Sequence, residues 1–241
     1  MVNQAQTSAY NPFIIQLVIL LEGFVTISFE ILTIRQLIPV VGNSVIVTSL
    51  IIGVFLLFLA YGYRKGGSYN ERFIPILKFN FILSAIGIGI GLSYGFIKGF
   101  FILGAKLLSG NIFVTLLIYL LLVTAPLVYL LGQTVPITLN LYKQQQTVGA
   151  TGGKVLHIST LGSFLGAVLT SLILMNYVGV AWTIFANYVV LAILILLLLE
   201  LPKEVVQLVA VIAMGVLIYF INIQWRTGFL CIPTVMVIIK L

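Results

Sequence analysis

Apolar residues run along this chain in long blocks, broken by short polar clusters. A helix that spans a bilayer needs about 20 mostly apolar residues. Seven stretches meet that length, near residues 13–34, 44–63, 73–96, 112–133, 155–177, 180–200 and 203–222. Two shorter apolar stretches remain. Residues 98–109 suit an interfacial or re-entrant segment, and residues 229–241 are too short to span and are interrupted by Pro233. The pattern predicts an all-α polytopic bundle of about seven helices, with a short eighth only if the seventh ends early. Residues 1–241 are read as one transmembrane domain, with no soluble domain, linker or internal repeat.

Small residues mark expected packing faces. Gly87, Gly91 and Gly95 recur every fourth residue in the third stretch, and Gly162 and Gly166 do so in the fifth. Such spacing lets helix backbones approach closely in lipid. Helix packing is the plain reading, and a flexible gating element is the sharper one.

Composition narrows the class further. Of 241 residues, 61% are hydrophobic and 7% charged, with a mean hydropathy of +1.25. That excludes a soluble globular domain, a disordered chain and a nucleic-acid binder with a basic groove. One cysteine, Cys231, and one histidine, His157, leave no internal disulfide and no His- or Cys-rich metal site. No metal, no cofactor and no catalytic set is expected. The stretch Met1–Pro12 has no Lys or Arg, and the first apolar run exceeds a signal-peptide core, so that helix is expected to be retained.

The net charge of +7 is a matter of topology and lipid headgroups. Under a seven-helix count, Arg64, Lys65, Arg72, Lys78, Lys143, Lys154 and Lys203 fall on one side. Arg35, Lys98, Lys106, Arg226 and Lys240 fall on the other. The bias is slight and favours a cytoplasmic N-terminus in the cell (inner or plasma) membrane. The bilayer is the expected partner, and nucleic acid is not.

The acids carry the strongest chemical signal. All five are Glu, and no Asp occurs. Glu22 and Glu30 both lie inside the first apolar run. Eight residues of helix place them about 12 Å apart along the axis and about 80° apart around it. Thr26 falls between them on the same broad face. A charge at the bilayer centre costs at least about 2.5–3.5 kcal/mol. The pair should therefore face the bundle interior, as a cation or proton site or as buried structural acids. Arg35 is near Glu30 but five residues on, a poor spacing for an intrahelical pair. His157, followed by Ser159, Thr160 and Ser163, either lines a cavity or is simply hydrogen-bonded in place. Pro126 and Pro136 should bend the fourth helix, with Gln133, Thr134 and Asn140 clustered about the break. The string GATGGK at 149–154 fails as a phosphate loop, because its spacing is one residue short and Val155 replaces the needed Ser or Thr. It is read as a helix-start turn.

Two regions carry a family pattern. Residues 29–67 contain Glu30, Arg35, Leu37, Pro39, Gly42 and Ser44, then Gly62, Tyr63, Gly66 and Gly67. Residues 125–144 and 153–180 contain Ala125, Pro126, Gly132 and Pro136, then Ser159 to Ser163. Together they resemble the polytopic membrane domain fused to spermidine synthase-like (aminopropyltransferase-like) proteins, over roughly half the chain. In fused members a soluble synthase domain follows and uses acidic residues, notably Asp, on the polyamine. This sequence reaches Leu241 with no Asp, so it is expected not to be an enzyme. The resemblance implies a protein that binds or passes a small cation such as a polyamine, or anchors a separately encoded synthase-like partner. Glu30 and Glu22 would be its counter-charges, with Arg35 and His157 tuning or gating them. The alternative is a structural membrane subunit of a larger complex, with the acids and glycine faces serving assembly.

Overall fold

The computed structural model describes residues 12–142, 148–199 and 204–224. Those residues form eight helices and no strand. The helices are α1 (Pro12–Val41), α2 (Val45–Gly67), α3 (Phe73–Gly91), α4 (Tyr94–Leu107), α5 (112–142), α6 (148–178), α7 (Val180–Leu198) and α8 (205–224). Seven of them, all but α4, are long and apolar enough to cross a membrane, so the protein is polytopic and membrane-integral. The stretch 229–241 lies outside the described residues.

Several ends differ from the sequence reading, each for a local reason. α1 continues beyond 34 to Val41 and carries an exposed Pro39 in its last turn. α3 stops at Gly91 rather than 96, because Ser93 adopts an extended backbone and caps a new helix by accepting from the Phe96 N–H at 3.3 Å. Gly95 therefore belongs to α4, has no neighbour on its open side, and does not continue the stripe of Gly87 and Gly91. Gly87 and Gly91 do pack, against the side chains of Leu127 and Val123. The 149–154 string is not a turn but lies inside the first turns of α6.

The fourth span is two spans' worth of punctuation in one helix. α5 opens at an Asn111 cap, with the Val114 N–H donating to Asn111 Oδ1 at 3.2 Å. It widens to π geometry at Leu120–Thr124, just before Pro126, and breaks at Gln133, three residues before Pro136. Each proline removes a donor from the ladder, and the helix loosens where that donor is missing. α6 also widens to π geometry over Leu169–Val178, without a proline.

Two pairs of parallel helices organise the bundle. Gly162 on α6 meets the backbone of Leu20, Gly166 meets that of Phe24, and Thr170 bonds Ser28, a constant separation of 142 residues. A Cβ on Gly23 would lie 2.5 Å from the Ser159 carbonyl oxygen. On the other pair, a Cβ on Gly62 would lie 2.6 Å from the Tyr129 carbonyl oxygen, and one on Gly66 would lie 2.5 Å from that of Gln133. Register rises together along α2 and α5, so these helices too are parallel. That fixes the role of α4. Had it crossed the bilayer, α2 and α5 would run in opposite directions. α4 instead stays on one side, with Ile97, Phe101 and Gly104 buried and its Phe100 and Phe101 rings 5.4 and 6.0 Å from that of Tyr119.

The remaining helices are tied by polar contacts. The Lys78 ammonium, inside α3, is buried and lies 2.7 Å from the Glu204 carboxylate at the start of α8. The Asn222 amide of α8 donates to the Gly89 carbonyl at 2.8 Å, and the Tyr188 hydroxyl of α7 donates to the Val211 carbonyl.

Candidate functional site

α1 is the helix around which the polar chemistry collects. It touches α2, α5, α6 and α7, and its interior faces are set by Val18, Val25, Phe29 and Leu32 in the core. Within this wall Glu22 is buried, at 2% exposure. Its carboxylate accepts from the Thr26 hydroxyl at 2.7 Å, one helical turn on. The one ion pair among the described residues is Lys78–Glu204, so no basic group pairs with Glu22 there. Burial without a positive partner is the costly state for a carboxylate at membrane depth.

Glu30 lies two turns further along α1. It is half-buried and makes no hydrogen bond or ion pair among the described residues. Arg35 does not join it. That guanidinium is exposed and borders a groove of about 480 Å³ between α1 and the wide part of α6, beside Ser171 and Asn176. His157 is exposed as well. The parallel register puts His157 level with Ile15, so it lies about 10 Å along the axis from Glu22 and about 22 Å from Glu30. The four residues grouped from the sequence are thus spread from one end of α1 to the other. The polar cluster after His157 also divides. Ser159 and Ser163 face α1, with Ser163 Oγ donating to the Gly23 carbonyl at 3.4 Å, while Thr160 is exposed.

A second polar node lies deeper. Ser28 of α1, Thr170 of α6 and Asn187 of α7 are all fully buried. Thr170 Oγ1 and Asn187 Nδ2 each donate to Ser28 Oγ at 2.7 Å, and Asn187 Oδ1 has no partner among the described residues. It was missed from the sequence because two hydroxyls and an amide inside apolar runs carry no charge signal, and their separations exceed any local pattern. Thr170 falls in the π segment of α6, a geometry that often accompanies function.

The break in α5 supplies a third cluster. Asn80 of α3 donates to the Leu130 carbonyl and to Gln133 Oε1, both at 3.2 Å, which ties α3 to the break. The Thr134 hydroxyl is buried without a partner among the described residues. Asn140 does not join the break, for its amide donates to the Tyr69 carbonyl at 3.3 Å.

The fold and these clusters define an all-α polytopic membrane protein with an acid enclosed in its first helix. No protein-family model, curated protein or solved structure matches the chain.

Proposed function

We propose that this is a non-enzymatic membrane protein that binds or transports a small cation, with a polyamine as the favoured substrate class. One observation carries the reading. Glu22 is enclosed by the bundle, holds a single hydrogen bond from Thr26, and has no basic partner among the described residues. A cation or a proton supplies the charge such a group lacks. Glu30, with no partner of its own among those residues, offers a second carboxylate further along the helix. A polyamine is an apolar chain with ammonium groups, so carboxylates spaced along one helix suit it. The likeness of residues 29–67, 125–144 and 153–180 to the membrane domain of spermidine synthase-like proteins agrees with that substrate. Glu22 takes the principal role here, ahead of Glu30, because it is the more deeply enclosed. Arg35 and His157, at opposite ends of α1, act at most on entry and exit.

The test is uptake of labelled spermidine and of rubidium ion by proteoliposomes. Glu22→Gln keeps the acceptor for Thr26 and removes the charge, and uptake is expected to fall at least tenfold. Glu30→Gln should lower it less. Uptake unchanged in both variants overturns the reading.

A further inference from the structure

We propose that the groove between the end of α2 and α5 is a binding site for one anionic phospholipid. The groove holds about 500 Å³ and is lined by Phe58, Tyr61, Arg64, Lys65, Pro126 and Tyr129. Its two ends differ in chemistry. Arg64 and Lys65 stand in the last turn of α2, both exposed and in no ion pair among the described residues. Lys65 Nζ lies 5.1 Å from the centre of the Tyr69 ring, which holds it beside the groove. Phe58 is six residues earlier, about 9 Å deeper into the membrane. Phe58 and Tyr61 pack edge to face with centroids 5.9 Å apart, and Pro126 and Tyr129 form the opposing wall.

This gradient selects the occupant. α2 is 23 residues long, enough to carry its last turn to the headgroup level of a bilayer. Two cations there meet a phosphodiester, and the apolar depth below them meets an acyl chain. A soluble anion would use the cations and leave the apolar part of the groove without a partner. The carboxyl end of a helix disfavours an anion by roughly half a charge. Two full positive charges exceed that, and Ser68 already caps this end by donating from its hydroxyl to the Lys65 carbonyl at 2.7 Å. Basic pockets between membrane helices take anionic headgroups by the same electrostatics. The close contact of Gly62 and Gly66 with α5 keeps the two walls together, so the site is built before lipid arrives.

Native mass spectrometry and thermal unfolding of the purified full chain test this. Delipidated protein is titrated with phosphatidylglycerol, with phosphatidylcholine, and with free glycerol phosphate. One retained phosphatidylglycerol per chain is expected, with a rise of several degrees in Tm, and neither with the other two. In the double variant Arg64→Gln, Lys65→Gln the retained lipid and the shift should be lost, whereas Lys106→Gln on the opposite side keeps both. Both glutamine positions are exposed, so the variant should fold as the parent does. An equal shift with free glycerol phosphate, equal retention of phosphatidylcholine, or phosphatidylglycerol retained undiminished by the double variant overturns the proposal.

Discussion

α1 and α6 are close in sequence terms and opposite in circumstance. Each contains a 30-residue apolar span, and the two pack side by side in parallel. Yet 56% of the apolar window of α1 is buried against 17% for α6. α1 is enclosed by neighbours, whereas α6 presents Leu156, Leu161, Phe164 and Leu172 outward. Most polar residues follow this division, Arg35 of α1 and the buried Thr151 and Thr170 of α6 apart. On α1, Glu22, Thr26, Ser28 and Thr33 are buried, and on α6, His157, Thr160 and Ser171 are exposed. Apolarity states that a helix enters the membrane, while the number of its neighbours decides whether a polar group on it is shielded from lipid.

The largest expected effect tests the seam between these helices. Gly162 faces the Leu20 backbone, whereas Gly153 on the same helix has open space where a Cβ would be. Glycine to alanine inside a helix ordinarily stabilises by about 0.5–1 kcal/mol. Gly153→Ala should gain about that amount. Gly162→Ala must instead push two backbones apart and should lose about 2–3 kcal/mol. Thermal unfolding in detergent reads both signs. A gain at both positions would dissolve the contrast between seam and exposed face.

The next effect compares one substitution on the two helices. Thr26→Val removes the single hydrogen bond of the Glu22 carboxylate, and Thr160→Val alters an exposed side chain. Leaving a buried acceptor unsatisfied costs about 1–3 kcal/mol, and exposed changes usually stay within about 0.5 kcal/mol. Thr26→Val should therefore lower the unfolding free energy by about 1–2 kcal/mol, with no resolved change for Thr160→Val. Urea unfolding of the two variants decides it, and equal values would remove the claim that α1 is the sheltered helix.

The same comparison explains what the sequence made legible. The seven spans could be found because each carries its own signal, an apolar run of sufficient length. The Glu22–Thr26 contact was legible too, since a spacing of four places both on one face. The seams at Gly162 and Gly166 follow from small residues at that same spacing. Gly95 was misplaced because spacing alone does not reveal that Ser93 ends one helix and caps the next. The ion pair of Lys78 had no sequence signal, because its partner, Glu204, lies 126 residues away. Grouping His157 and Arg35 with the two acids required knowing the register of α6 on α1, which only the folded bundle sets.

The smallest expected effect lies where the two helices meet a third. Ser28 joins α1 to Thr170 of α6 and to Asn187 of α7, at separations of 142 and 159 residues. Buried hydrogen bonds between membrane helices average only about 0.6 kcal/mol, because the unfolded chain in lipid also finds partners. Ser28→Ala should therefore cost about 1 kcal/mol, despite breaking two bonds. Asn187→Leu removes the amide and its unpartnered Oδ1 together. The double variant should then cost less than the two single costs added, since Ser28→Ala no longer strands the amide donor. A double-mutant cycle on unfolding free energies measures the difference. Strict additivity would mean that the three helices meet there by packing alone, and that the shelter α1 enjoys owes nothing to this node.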